Sequence, residues 1–296
     1  MKDCFSGYHP AVNFLYFTLV LLFSMIFMHP VCLFISLCCS FIYSIYLNGR
    51  KGLRFNLKFM LPLLLVMAII NPAFNHEGVT ILTYIWNGNP LTLESILYGV
   101  AAAAMLVSVI CWFSCYNAIM TSDKFVYLFG RIIPALSLIF SMVLRFVPRF
   151  KAQLKVVANA QRCVGKDISC GSVWQRVRHI LTILSVMITW SLENAIETAD
   201  SMRSRGYGLR GRTAFSIYRF DRRDKLALIF YIFCGVYIVA GGALSGIGWQ
   251  YFPAMEGSLT GGYTVSLYIC YFVLFISPVW LNLREERKWK SLRSEI

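Results

Sequence analysis

Side chains able to do chemistry are few in this sequence and widely scattered. The four histidines, His9, His29, His76 and His179, lie too far apart to read as a metal set. No His-Glu-x-x-His, no Gly-x-Ser-x-Gly and no phosphate-binding Gly-rich loop ending in Lys-Ser/Thr occurs. The ten cysteines form no Cys-x-x-Cys. Cys32, Cys38, Cys39, Cys111, Cys115, Cys234 and Cys270 fall in apolar runs, where they read as small buried hydrophobes. No catalytic residue, metal site or cofactor is therefore expected. What recurs is arginine close ahead of glycine: Arg162 before Gly165, and Arg205 directly before Gly206. Glycine is a common stop just past a helix, and arginine near that end complements the helix dipole by about 0.3–1 kcal/mol. The dipole accounts for either end taken singly. Two such ends in one basic segment point further, to docking, because the planar guanidinium fork matches carboxylates on another surface.

The elements that carry these ends can be read from cap residues. Thr121, Ser122 and Asp123 offer N-caps ahead of an apolar run. Pro148 suits the first turn of a helix running from Arg149 to about Cys163, with Gly165 as its stop. Ser172 opens the next helix, with Gln175 as capping-box partner, and Gly206 ends it after Arg205. That second helix would be about 50 Å long at 1.5 Å per residue.

Composition sets the class. Of 296 residues, 58% are hydrophobic and 14% charged, whereas soluble domains carry about 25% charged residues. Apolar runs give candidate spans at 11–28, 31–47, 59–72, 96–115, 226–247 and 263–281. The first is expected to be a retained helix and not a signal peptide. No Lys or Arg lies in 3–49, 59–115 or 226–283, so all 28 basic residues fit one side of a six-span topology with both termini inside. The outer connections are then the His29-Pro30 hairpin, 73–95 and 248–262. Two more apolar runs, 132–144 and 179–192, are kept on the inner side, because an extra hairpin would carry Arg149, Lys151, Lys155, Arg162, Lys166 and Arg176 outward.

The expected fold is thus all-α and polytopic, with about six transmembrane helices and a cytoplasmic helical unit. Residues 1–115 hold transmembrane helices 1–4, 116–225 the cytoplasmic helices, and 226–296 helices 5–6 with a C-terminal tail. The middle segment carries 18 basic and 7 acidic side chains, a net of +11. Anionic lipid, nucleic acid or an acidic protein surface would suit that charge. No nucleic-acid motif accompanies it, so nucleic acid is set aside. None of the six spans contains Asp, Glu, Lys, Arg or His. An ion or proton relay in the membrane would need such groups, so energy for any transport must come from a partner. Gly242 and Gly246 form a small-xxx-small pair in the fifth span, read as ordinary helix packing.

The stretches ANAQRCVG (158–165) and ADSMRSRGYGLRGRT (199–213) resemble the paired coupling motifs of the transmembrane T component of energy-coupling factor (ECF) transporters. In that family two cytoplasmic helices end in Ala-Arg-Gly-like triplets. The second triplet here is Ser204-Arg205-Gly206, followed by the aromatic Tyr207. The first is Cys163-Val164-Gly165: Val164 stands at the arginine position, and Arg162 two places earlier is the candidate replacement. LRFVPRF (144–150) and NPAFNHEGVT (71–80) match further stretches.

The resemblance implies a non-catalytic scaffold in a bacterial or archaeal cell membrane. Ser204, Arg205, Gly206, Tyr207, Arg162 and Gly165 would dock two cytosolic ABC ATPase subunits. The membrane helices would hold an S component that binds a vitamin or transition-metal ion. Two other readings stay open. A permease subunit of another ATP-driven importer generally couples through a short loop, not through about 110 residues (116–225). An intramembrane enzyme would need a nucleophile–base pair or metal ligands at bilayer depth.

Overall fold

The computed structural model describes residues 3–84, 90–130, 133–167, 169, 171–207, 209, 218–244, 247–257 and 261–294. In chain order the helices are α1 (Pro10–Ile26), α2 (Pro30–Asn48), α3 (Arg50–Phe74), α4 (Leu93–Ile119), α5 (Ser122–Gly130), α6 (Pro134–Cys163), α7 (Val173–Ser204), α8 (Arg222–Ala243) and α9 (Gly262–Ser294). Two short antiparallel ribbons lie in the expected outer connections: Ile81–Tyr84 with Pro90–Thr92, and Trp249–Gln250 with Glu256–Gly257. The chain divides into two compact units, one of Met1–Lys124 with Tyr218–Ile296, the other of Phe125–Ile217.

In the first unit, two helices start by the same device. His9 and His29 are N-caps, each followed by proline at the first helical position. Each imidazole Nδ1 accepts the backbone N–H two residues on, Ala11 at 3.2 Å and Val31 at 3.3 Å. Proline at that position gives up no hydrogen bond, since its N–H would lack a helical partner anyway. The histidines that could not form a metal set are thus helix caps in these two cases, and the repeated His-Pro pair is the signal for it.

The core gathers Tyr16 and Phe17 of α1, Tyr43 of α2, Trp112 of α4, Tyr231 of α8, and Tyr271 and Phe275 of α9. α1 is short, 17 residues, yet much of it is buried in the bundle. α3 is longer than the expected 59–72 span because the basic stretch before it is also helical, giving 25 residues with a π turn at Asn56–Met60. α3 meets α4 closely at Gly99, where a Cβ would come within 3.0 Å of the Ala68 carbonyl oxygen and 3.1 Å of Pro72. Gly242 packs against Phe27, where a Cβ would come within 2.7 Å of the ring; Gly246 lies outside the described residues.

Among the described residues, six helices are long and apolar enough to cross a membrane: α2, α3, α4, α8, α9 and also α7. Five of these match expected spans, while the expected first span, α1, is shorter than the other five. In α7 the apolar stretch 180–192 lies between Arg176 and Arg178 on one side and Glu193, Glu197 and Asp200 on the other. At 1.5 Å per residue that stretch covers about 20 Å, short of the roughly 30 Å hydrocarbon core.

One end of the first unit is closed by the N-terminal segment. Asn282 Oδ1 accepts the backbone N–H groups of Cys4 at 2.9 Å and Phe5 at 3.3 Å, and its amide donates to Asp3. Lys124, nearly fully buried, donates to the Ser6 carbonyl at 2.6 Å and the Ile119 carbonyl at 3.2 Å, capping the end of α4. Burial pushes this ammonium below the usual lysine range, while the Asp3 carboxylate pulls the other way. Lys124→Met leaves those carbonyls without their donor in a dry site, which should cost about 1–3 kcal/mol. A lowered thermal midpoint of the purified protein in detergent is the expected readout, against no shift if the ammonium only decorates the surface.

In the second unit, α6 corrects one expectation. Pro148 does not open a helix; it lies inside α6, which runs 30 residues from Pro134, itself at the first helical position. The cost of Pro148 is the missing N–H that would reach the Leu144 carbonyl. On the C-terminal side of Pro148, apolar side chains hold the helix against α7. Val157 packs with Ile183 and Met187, and the Phe150 and Trp190 rings meet edge to face at 5.3 Å. α7 begins as expected: Ser172 Oγ accepts the Gln175 N–H at 3.4 Å and the Gln175 side chain accepts the Ser172 N–H at 3.1 Å.

Candidate partner-docking site

The ends of α6 and α7 are built alike, bond for bond. At the first, Lys166 N–H donates to the Gln161 carbonyl at 2.9 Å and Gly165 N–H to Arg162 at 3.0 Å; at the second, Tyr207 N–H donates to Met202 at 3.0 Å and Gly206 N–H to Arg203 at 3.0 Å. Both glycines take the left-handed conformation, φ +80° at Gly165 and +74° at Gly206. A side chain is strained there, so glycine at these two positions follows from the turn itself. The last residue before each glycine has nearly the same backbone, φ/ψ of −88°/9° for Val164 and −82°/10° for Arg205.

This common geometry fixes the correspondence between the ends. Val164 stands where Arg205 stands, Cys163 where Ser204 stands, and Arg162 where Arg203 stands. The second end thus carries two arginines and the first one. Arg162 is also engaged within its own end: its Nε lies 3.3 Å from Asp167 Oδ2, the only ion pair among the described residues. Its side chain is largely exposed, so the pair contributes at most about 1 kcal/mol. Val164 is 72% exposed, an apolar side chain at the position where the other end presents a guanidinium. Tyr207 is partly exposed beside Gly206.

Arg205 differs from Arg162 in its surroundings too. It lines a cleft of about 480 Å³ between α6 and α7, together with Arg145 and Arg149 of α6 and Glu197 of α7. Arg162 is not part of it. The Arg149 guanidinium is held over the Trp190 ring at 5.5 Å, which anchors its stem in the unit's core. Arg145 and Arg149, which line this cleft with Arg205, are not among the docking residues expected from the sequence. Their spacing of four, on one helix face, was the available signal. Among the described residues no group of three or more His, Cys, Asp or Glu could hold a metal.

Apolar helices able to cross a membrane and a separate, strongly basic helical unit define a multi-pass membrane protein. The chain belongs to the CbiQ cobalt transport protein family, which matches residues 7–215. It is similar to the energy-coupling factor transporter transmembrane protein EcfT of Lactobacillus helveticus, 36% identical over 98 residues, 33% of this chain and 35% of that one. It is similar also to EcfT of Lacticaseibacillus paracasei, 37% identical over 93 residues, 31% of this chain and 35% of that one. With EcfT of Bacillus selenitireducens it shares 31% identity over 106 residues, 36% of this chain and 40% of that one. The chain thus spans only 35–40% of the length of these curated relatives. Together these matches bear out the T-component resemblance and a multi-pass protein of the plasma membrane.

Proposed function

We propose that this chain is the non-catalytic transmembrane scaffold and coupling subunit of an ATP-driven ECF-type importer. The observation that carries the reading is the pair of matched helix ends on α6 and α7, with Arg205 at the C-cap of the second. On this reading the ends dock two cytosolic ABC ATPase subunits, with Ser204, Arg205, Gly206 and Tyr207 at one and Arg162 and Gly165 at the other. The membrane helices hold an S component, and that component selects the solute, a vitamin or a transition-metal ion. ATP-driven movement of the ATPases displaces α6 and α7 and so reorients the S component. The names of the relatives, as transmembrane proteins of energy-coupling factor transporters, support the same assembly.

Copurification tests this directly. The tagged chain, extracted in mild detergent from its own cells, should bring down two ABC ATPase polypeptides or one in two copies, together with a small membrane protein that binds solute. Recovery of the intact chain with none of these would refute the assembly.

Topology gives a further check. The reading requires 116–225 inside the cell and 73–95 outside. In a background cleared of native cysteines, Glu77→Cys should react with an impermeant maleimide on intact cells and Lys166→Cys only after lysis. Both positions are exposed to solvent. Labelling of position 166 from outside would overturn the six-span arrangement.

A further inference from the structure

The cleft that Arg205 lines has two walls. The α6 wall runs from Leu138 through Met142 and Arg145 to Arg149, residues spaced three or four apart and therefore on one face. The α7 wall runs from Glu197 through Ser201 to Arg205, each four residues on, with Met202 beside Ser201. Three guanidiniums thus face one cleft with a single carboxylate among them, a surplus of two positive charges. Like charges four residues apart on one helix repel, and Arg205 adds a third from the opposite wall. A ligand with two or more carboxylates would convert that repulsion into charge-assisted, bidentate hydrogen bonds.

We propose that this cleft receives an acidic segment of the ATPase partner, with Arg145 and Arg149 of α6 binding its carboxylates alongside Arg205 of α7. The proposal rests on the docking reading above and extends it from one arginine at a helix end to a three-arginine acceptor built by both helices. Three features favour a protein segment over a lipid phosphate. The cleft is continuous with the proposed docking end through Arg205. Met142 and Met202 line it with adaptable apolar surface suited to the side chains of a partner. Glu197 stands inside it, which disfavours a dense anionic headgroup but leaves room for separated carboxylates that avoid it. The cleft, about 480 Å³ in volume, is large enough for side chains and not for a folded element.

The test is retention of the co-expressed ATPases by the tagged full-length chain in detergent. Paired Arg145→Ala and Arg149→Ala substitutions should weaken retention at least about tenfold, the loss expected when buried charge partners are removed. Because Arg149 also packs on Trp190, a second variant pairs Arg145→Lys with Arg149→Lys, keeping charge and stem but removing the fork. It too should weaken retention, by less, with an unchanged thermal midpoint. Glu197→Gln should leave retention intact or raise it. Full retention in both double variants, with loss in Arg205→Ala, would overturn the cleft while leaving the docking end in place. Full retention in all three would overturn both. Full retention accompanied by loss of copurified anionic phospholipid would assign the cleft to lipid phosphate and likewise overturn the proposal.

Discussion

On the docking reading, Arg205→Ala should release the ATPase held at the α7 end while leaving the chain itself folded. Arg205 is the C-cap of α7, directly after the last helical residue Ser204 and fixed by the turn at Gly206, so its guanidinium leaves the helix end from a defined point. Truncating one side of a charge pair that is desolvated in an interface costs about 2–5 kcal/mol, much of it the penalty of leaving the other charge buried alone. Arg162→Ala should do far less. Arg162 matches Arg203 in the helix-end register and is satisfied by Asp167, and exposed pairs of that kind contribute about 0.2–1 kcal/mol. Val164→Arg, which gives the first end the residue of the second, should strengthen retention or leave it intact. If the arginines only complemented helix dipoles, Arg205→Ala and Arg162→Ala would have small, similar effects on stability and none on retention. Pull-down of the ATPases by each single variant, beside a thermal melt, separates the two.

Trp112→Ala should be the most damaging single change within the membrane bundle. Trp112 is fully buried and meets Phe275 at 5.5 Å, Tyr43 at 6.1 Å and Tyr16 at 6.3 Å, so α4, α9, α2 and α1 all lean on one ring. Its indole Nε1 donates to Ser36 Oγ at 3.3 Å, and Ser36 is also 2.8 Å from Ser24 Oγ. In a soluble core, Trp→Ala costs about 3–5 kcal/mol. Lipid is as apolar as the side chain, so the transfer share of that cost shrinks, while the lost packing remains. About 3 kcal/mol is therefore expected, read as a lower unfolding midpoint in detergent. Trp112→Phe, which keeps most of the volume, should recover most of it.

The apolar helices were legible because lipid demands long apolar runs. Helix lengths were less so. The third span was expected only from residue 59, yet Arg and Lys are good helix formers whose heads reach water on long stems, and α3 already starts at Arg50. At Pro148 the opposite error arose. Proline is a sound start signal, but packing on Trp190 and on the 183–187 stretch of α7 outweighed its missing N–H, and α6 continued. The two helix ends could be read in detail, since Gly165, Gly206 and the Ser172–Gln175 box act through local backbone geometry. The cleft could not. Arg145 and Arg149 were visible in LRFVPRF, but their meeting with Arg205 depends on how two helices pack, across more than fifty residues of sequence.

On the docking reading, the α7 end touches an ATPase. A photo-crosslinking amino acid placed at Tyr207, and separately at Val164, in the full-length chain in living cells tests it most directly. Irradiation should join both positions to an ABC ATPase subunit, and Arg205→Ala should abolish the adduct at position 207 while the one at 164 survives. Adducts at both positions to lipid or to unrelated proteins, with no ATPase among them, would rule out docking at these helix ends.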